Sequence, residues 1–397
     1  MSSRWLIVAA LVAALFGFGF ASASTYDFAA HLDRQVHSLH CSFIPGLSGT
    51  ESSAHGCQVT LMSPYSSIFR KSVWGGIPIS LPGMAVFASL AALALAIVLT
   101  KSEQDRSAVL TLVLLSAAPV GASLMMGSIA AFELHAACKQ CIGIYTSSFA
   151  AGIFAFLAFR KRVRVVGGNE EPPAMRWPLV LPLAGVLVVL PMTGYVLAMP
   201  SYVPYAKGCG TLPHPEDRAG VLVHVKTQEP GATAALEVFD PLCPACKAFE
   251  DRLKGAGLDK KLDRSYLLFP LDNSCNWMID NAMHPGACAV SSAVLCAGDR
   301  AKDVIDWAFA QQTAIHDAAV SDAGAAARMV ATQFPDLKSC MESAVTKARL
   351  AQSLRWAVRN QLPVLTPQLY VTGRRLCDED TDLGLEYTLS HMLKGDS

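Results

Sequence analysis

The sequence predicts a membrane-spanning α-helical bundle followed by a soluble α/β domain. Hydrophobic residues make up 52% of the 397 residues and charged residues only 16%, with a mean hydropathy of +0.35. This composition is more apolar than that of an ordinary soluble protein. Long uncharged runs fill the first half of the chain, whereas residues from about 205 onward have the mixed composition of a soluble domain. The stretch "MPSYVPYAKGCGTLPHPEDRAG", which contains Pro and Gly, separates the two parts.

Five apolar runs approach the roughly 20 residues that a helix needs to cross a bilayer. They cover residues 5–23, 77–100, 108–132, 141–159 and 178–199. The first run ends in "ASAS", so a cleavable secretory signal is an alternative interpretation, and both interpretations leave residue 25 outside. We therefore predict a membrane domain over 1–165, a cytoplasmic linker with a fifth span over 166–204, and a soluble domain over 205–397.

Basic residues predict the orientation of the spans. The segments "KSEQDR" and "FRKRVRVVGGNEEPPAMRW" carry Lys and Arg, which favour the cytoplasmic side. The loop from about 24 to 76, the connection "ELHAACKQC" and the soluble domain then lie outside. All twelve cysteines fall on or at the edge of that outer side, which suits an oxidising compartment. The formal net charge is zero and no basic block is interleaved with aromatics, so nucleic acid is not an expected partner.

The soluble half contains a C-x-x-C motif in a redox context. The strand-like "ALEVFD" runs into "PLCPAC" and then into the helix-like "KAFEDRLKGAG", an order typical of thioredoxin-like proteins. Cys243 would lie at the first helical turn, where unpaired N–H groups and the helix dipole stabilise a thiolate. Cys246, one turn on, would close or resolve a mixed disulfide.

Two further features of this half resemble thioredoxin-like proteins. Members of that family hold a cis-proline beside the active cysteines, and Thr366-Pro367 before "QLYVTGRRL" matches that position, which implies a supporting role for Pro367. An Ala-rich helical insertion over about 275–357 resembles the periplasmic disulfide-oxidase (DsbA-type) branch.

A structural zinc pair is the alternative interpretation of Cys243 and Cys246. It would need two more ligands, and "NSCNWMIDNAMHPGAC" offers Cys275, His284 and Cys288 but no second tight pair. We therefore predict no metal.

The membrane half resembles the vitamin K epoxide reductase family, in particular its bacterial members fused to a thioredoxin-like domain. Cys41 and Cys57 follow the first span, "CQVTLMSPYSSIFRKSVWGGIPISLPG" leads into the second, and "CKQCIGIY" opens the fourth. The order matches the cysteine, serine, "PYS" and "GIP" progression of the family. The segment "RKSVWG" departs from that pattern as an insertion and could alter the half-helix that caps the quinone pocket. The resemblance implies a four-helix core plus a fifth linker span.

The resemblance also implies roles for matching residues. Cys138 and Cys141 match the quinone-reducing pair, with Cys141 deeper in the span. Cys41 and Cys57 match the shuttle pair of the outer loop, for which a static structural disulfide is the alternative. Two further positions match family residues near the quinone: Ser63, and Tyr145, which could equally be an ordinary core aromatic of the bundle.

Six cysteines remain, and six allow fifteen pairings. We prefer three structural disulfides: Cys275 with Cys288, Cys296 with Cys340, and Cys209 with Cys377.

The sequence thus predicts a membrane oxidoreductase that generates disulfide bonds in exported proteins. Electrons would pass from reduced substrate proteins to the soluble C-x-x-C, the loop cysteines, the membrane C-x-x-C and a quinone, either ubiquinone or menaquinone. The resemblance implies a multi-pass protein of the bacterial inner membrane, with the soluble domain on the periplasmic side. The alternatives are a reductive pathway that sends electrons outward and a membrane-tethered isomerase or chaperone.

Overall fold

The computed structural model describes residues 3–31, 60–61, 63–134, 138–165, 179–225 and 229–394. The chain divides into two compact units, Met1–Pro200 and Ser201–Ser397. The predicted fold class is confirmed: the first unit is helical and the second contains a β-sheet flanked by helices.

Five helices of the described part of the first unit are long and apolar enough to cross a membrane. They are α1 (Ser3–His31), α2 (Ser80–Leu99), α3 (Arg106–Phe132), α4 (Lys139–Val165) and α5 (Val180–Ala198).

Close approach of small residues lets α1 pack against both α2 and α4. A Cβ placed on Gly17 of α1 would come within 2.3 Å of the Phe87 ring on α2. A Cβ on Gly143 of α4 would lie 2.7 Å from the Phe20 ring of α1. Small residues at helix contacts are what membrane bundles use to bring backbones together, because lipid gives no hydrophobic drive for helix association. In α5, by contrast, Ala184 is the buried residue.

The inserted "RKSVWG" segment forms the loop of a short hairpin before α2. Strand β1 (Ser67–Ile68) pairs antiparallel with β2 (Ile77–Pro78). Trp74 in the loop is only 3% exposed. Gly76 has a φ of +76°, and a Cβ there would meet the Ile68 carbonyl oxygen at 2.7 Å, so the turn requires glycine.

The second unit is built on a five-stranded sheet with the order β3-β5-β4-β6-β7. Strands β4 and β5 are parallel, and the other neighbours are antiparallel. A parallel pair needs a crossover, and helix α6 (Pro244–Gly255) supplies it. The strands are β3 (Val223–Val225), β4 (Thr233–Phe239), β5 (Leu262–Leu268), β6 (Gln368–Val371) and β7 (Arg374–Arg375).

The helical insertion lies between β5 and β6, and a last helix, α13 (Leu385–Lys394), follows the sheet. The inserted helices are α7 (Ala287–Ala297), α8 (Ala301–Ala310), α9 (Gln312–Ser321), α10 (Ala325–Gln333), α11 (Lys338–Met341) and α12 (Ala344–Arg359). The core between sheet and insertion is continuous with the C-x-x-C motif, because Phe239, Leu242, Cys243 and Cys246 belong to the same buried cluster as α7 and α8.

Three disulfides tie this unit together. Cys209 joins Cys377, Cys275 joins Cys288, and Cys296 joins Cys340. They are the three pairings preferred from the sequence.

Candidate functional site

The soluble C-x-x-C lies where strand β4 ends and helix α6 begins. Cys243 is the N-cap residue of α6 and Pro244 is its first residue, a position where proline loses no helical hydrogen bond. The Cys246 N–H donates to the Cys243 carbonyl at 3.1 Å. The Thr366–Pro367 peptide bond is cis, and the Cys243 thiol donates to the Thr366 carbonyl oxygen at 3.6 Å. The structure therefore places Cys243, Cys246 and the cis-proline turn together.

The two thiols of this motif have opposite pKa shifts. A hydrogen bond from Cys246 lowers the pKa of Cys243 to about 6, and it outweighs the opposing effect of burial. Burial, together with the hydrogen bond given to Cys243, raises the pKa of Cys246 well above its usual value. Cys246 is fully buried whereas Cys243 is 4% exposed, so Cys243 is the sulfur that a partner can reach and the one that carries negative charge.

A buried ionic cluster lies between β4, β5 and α6. Arg264 of β5 donates to Glu237 at 3.1 Å and forms a two-pronged pair with Glu250 of α6. Burial raises the pKa of Glu237 to about 7, although Arg264 acts in the opposite direction. Glu237 thus titrates near neutral pH on the strand that ends at the C-x-x-C motif.

A second buried acid, Asp240, lies three residues before Cys243. One carboxylate oxygen accepts from the Leu242 N–H at 2.7 Å. The other oxygen is 2.7 Å from the Leu271 nitrogen and 2.7 Å from His284 Nδ1. These contacts fix the turn that carries Cys243.

The membrane C-x-x-C lies at the start of α4. Cys138 directly precedes the helix, and its Sγ accepts from the Cys141 N–H at 3.3 Å. Between the two cysteines, Gln140 donates to the Asp27 carboxylate of α1 at 2.8 Å, and both side chains are buried. The first span is therefore joined to the motif itself.

Cys141 lines a mostly apolar cleft of the first unit. The volume of the cleft is about 50 Å³. Ser63, Tyr145 and Phe28 are among its other lining residues. Ser63 donates to the Thr60 carbonyl at 2.8 Å, and the Tyr145 ring packs where Gly127 of α3 leaves room, at 3.6 Å from a Cβ built there. The structure thus brings Cys141, Ser63 and Tyr145 together around one cavity.

Exposure of the membrane cysteines does not follow their depth in the span. Cys138 is only 3% exposed, whereas Cys141, the cysteine deeper in the span, is half-buried at the cleft. Cys138 is thus about as buried as Cys243 of the soluble motif.

The inserted hairpin contributes a buried cation beside this cleft. Arg70 is 5% exposed. Its guanidinium donates to the Ser63 carbonyl and, at 2.8 Å, to the Ser66 hydroxyl. Both serines line the cleft, so the insertion braces one wall of the cavity.

The loop cysteines Cys41 and Cys57 lie outside the residues that the structure describes. Five buried polar groups near these motifs were not predicted from the sequence: Asp27, Gln140, Glu237, Asp240 and Arg264. Glu237 and Asp240 carried a signal, since an acid within or ending an apolar strand is costly unless it is paired. For the others, the contacts join residues far apart in the chain, which a single sequence does not reveal.

The first unit has apolar helices long enough to span a membrane, and one of them begins at a C-x-x-C motif. The second unit has a thioredoxin-type sheet with a C-x-x-C motif and a cis-proline. These features define a membrane thiol–disulfide oxidoreductase. Residues 8–156 match the model of the vitamin K epoxide reductase family. This match covers the first four apolar helices, so the chain contains a membrane domain similar to that family, followed by a thioredoxin-like domain.

One solved structure similar to this chain is the oxidoreductase DsbA from Xylella fastidiosa, with 19% sequence identity. The match covers 44% of this chain and 95% of that one, with a TM-score of 0.29. Since this likeness is too weak to support a fold, the thioredoxin-like assignment depends on the strand order and the C-x-x-C geometry. No curated protein matches the chain significantly.

Proposed function

We propose that this protein generates disulfide bonds in exported proteins and delivers the electrons to a membrane quinone. The observation that carries the proposal is the asymmetry of the Cys243–Cys246 pair. Because Cys246 is fully buried and Cys243 is the thiol with a pKa of about 6, an incoming thiolate attacks Cys243, and Cys243 then leaves as a stable thiolate in the second exchange. A pair of this kind favours its reduced form and oxidises other thiols.

In the first exchange, a substrate thiolate attacks Cys243 of the oxidised pair and Cys246 leaves as the thiolate. A second substrate thiolate then attacks the substrate sulfur of the mixed disulfide, and Cys243 leaves. The substrate gains a disulfide, and two electrons stay on the Cys243–Cys246 pair.

The reduced pair is next oxidised by the loop pair, Cys41 and Cys57, which passes its two electrons to Cys138 and Cys141. Position in the helix supports separate roles for the membrane cysteines. Cys138 precedes α4 and its sulfur accepts a helix N–H, a setting that stabilises a thiolate during exchange. Cys141 lines the apolar cleft.

The lining of the cleft is suited to a quinone ring, but the cleft is too small to hold one without rearrangement. Its wall is mostly apolar with a few hydroxyl groups, as is usual for sites of small aromatic ligands. A quinone there would accept two electrons and two protons. Ser63 and Tyr145 are the residues we expect to orient its oxygens. Because the volume of the cleft is only about 50 Å³, the surrounding side chains must move apart for a ring to enter.

Orientation and location are part of the proposal. The basic segments after the second and fourth spans favour the cytoplasm, so both C-x-x-C motifs would face the periplasm of a bacterial inner membrane. The partners would be reduced exported proteins and the quinone pool.

An anaerobic assay with the purified protein tests the direction of transfer. With a reduced dithiol peptide and either ubiquinone or menaquinone, we expect quinol to form and the peptide to become oxidised. The variant Cys141→Ala should form no quinol, while the peptide still reduces Cys243 and Cys246. If Cys141→Ala oxidised the peptide and formed quinol at the wild-type rate, the proposed route would be contradicted.

A further inference from the structure

His284 is a partly buried histidine that the proposed function does not use. It lies in the segment between Cys275 and Cys288, which a disulfide closes. No group of three or more potential metal ligands occurs among the described residues. The His284 side chain is directed at the acid beside the soluble C-x-x-C.

The segment that carries His284 is fixed against the active-site turn. The His284 N–H donates to the Leu271 carbonyl at 2.9 Å. The Asp272 carboxylate accepts from the Gly286 N–H at 2.9 Å. A Cβ on Gly286 would lie 3.6 Å from Leu242 Cδ1, so this segment packs on the residue that precedes Cys243.

One carboxylate joins the imidazole to that turn. His284 Nδ1 is 2.7 Å from Asp240 Oδ2, and Asp240 is fully buried. The other oxygen of Asp240 accepts from the Leu242 N–H, and its backbone carbonyl accepts from the Cys243 N–H at 3.1 Å. Side chain and main chain of Asp240 thus couple His284 to the position of Cys243.

The charges around His284 favour its cationic form. The ionisable groups that face it are Asp240 at the end of β4, Asp272 after β5 and Cys243 at the start of α6. Burial lowers the pKa of His284, but the hydrogen bond and charge of Asp240, with the negative charge on Cys243, raise it above its usual value. In return, the His284 cation favours the Cys243 thiolate.

We propose that His284 is a positioning residue for thiol exchange, which, held by Asp240, supports the Cys243 thiolate with its positive charge. The inference rests on the proposed function. When the second substrate thiolate attacks the mixed disulfide, the bond to Cys243 breaks and Cys243 keeps the electron pair. The imidazolium stabilises that leaving thiolate, and no proton is transferred in the step.

The variant His284→Asn tests this role, because its amide nitrogen can still donate to Asp240 as Nδ1 does, while the cation is lost. The full-length protein is reduced, its Cys243 is alkylated at a series of pH values, and the labelled peptide is quantified. Since a unit of pKa is a factor of ten in thiolate below the pKa, we expect alkylation near pH 5 to fall about threefold to tenfold. His284→Gln is a second variant that removes the cation.

The matched control is His316→Asn, which removes a histidine from an exposed His–Asp pair on α9, with Asp317 at 3.2 Å. Its alkylation profile should remain that of the wild type. Profiles of both His284 variants that overlay the wild type would overturn the inference. The alkylation assay needs no quinone, so it is independent of the quinol assay. If the His284 variants shifted the alkylation profile of Cys243 but the wild type formed no quinol, the proposed relay would be contradicted and the role of His284 would not.

Discussion

Cys243 and Cys246 are three residues apart, yet their environments separate them chemically. Cys243 caps the helix and accepts a hydrogen bond from its partner, so its pKa is lowered to about 6. Cys246 lies inside the first turn with no exposed surface, and its pKa is raised. Burial alone would raise both pKa values. The two sulfurs therefore differ because Cys243 lies at the start of the helix and accepts the hydrogen bond that Cys246 donates.

The low pKa of Cys243 predicts how the reduction potential of this pair depends on pH. The lowered pKa of Cys243 stabilises the folded, reduced form of the protein. This stabilisation is complete above the usual thiol pKa of about 9, and it is lost as the pH falls through about 6. Between those values reduction takes up one proton per two electrons. The potential should therefore fall by about 30 mV per pH unit there, and by about 60 mV per unit below pH 6.

Equilibration of the full-length protein with glutathione, with the Cys243–Cys246 peptide quantified after alkylation, measures this slope. A constant slope of about 60 mV per unit between pH 5 and 8 would mean that Cys243 keeps its proton in the reduced form.

Sequence patterns identified the cysteines but not the groups that tune them. Spacing alone predicts that Cys243 starts a helix, because C-x-x-C follows an apolar strand. Asp240 and His284 are 44 residues apart, and Arg264 and Glu237 are 27 apart. Their contacts depend on how the insertion and β5 pack against β4, so no local pattern could indicate them.

At the scale of elements, the inserted hairpin is the feature that sets this membrane domain apart from the pattern it resembles. The insertion was expected to alter the cap of the quinone pocket. The structure gives that expectation a specific form, since Arg70 from the hairpin donates to Ser63 and Ser66 of the cleft wall. A buried guanidinium in such contacts fixes backbone positions that two serine hydroxyls alone would not.

Replacing Arg70 with methionine keeps an apolar side chain of some length but removes both hydrogen bonds. If the hairpin shapes the quinone site, the KM for quinone should rise about tenfold, with a smaller change in kcat. Steady-state quinol formation measures both constants.

Lys71→Met is the control, because Lys71 is the exposed neighbour in the same loop. An unchanged KM in Arg70→Met, in a protein that melts at the wild-type temperature, would show that the hairpin does not shape the site.

The disulfides of the soluble unit should differ in their contribution to stability. Cys209–Cys377 closes a sequence separation of 168 residues and Cys275–Cys288 one of 13. In the chain-entropy description, the longer loop should contribute about 2 kcal/mol more to the free energy of unfolding.

Double alanine variants of each pair, compared by proteolysis of the C-terminal unit in increasing urea, test this order. Equal losses, or a larger loss on removal of Cys275–Cys288, would show that native contacts of the short loop outweigh the entropy of the unfolded chain.

At the scale of the whole molecule, the chain joins a membrane domain that matches the model of the vitamin K epoxide reductase family to a thioredoxin-like domain. The order of the five apolar runs predicted the helices well, because hydropathy over some 20 residues is a strong signal. Helix α1 begins at Ser3, before its apolar run, and helix α4 ends at Val165, after its apolar run. Both helices therefore continue past the hydrophobic stretch that defines the span. The narrow cleft could not be anticipated, because its volume depends on side-chain packing between helices.

In the proposed relay, three cysteine pairs act in series, and the loop pair is the only link between the other two. This arrangement is tested directly by anaerobic titration with excess quinone, starting from protein in which the three relay pairs are reduced and the three structural disulfides are intact. Each pair carries two electrons, so the wild type should form about three quinols per chain. The variant Cys41→Ala/Cys57→Ala should form about one, from Cys138 and Cys141 alone, and leave Cys243 and Cys246 reduced. Two quinols per chain from that variant would contradict the series arrangement, because electrons would then leave the soluble pair without the loop.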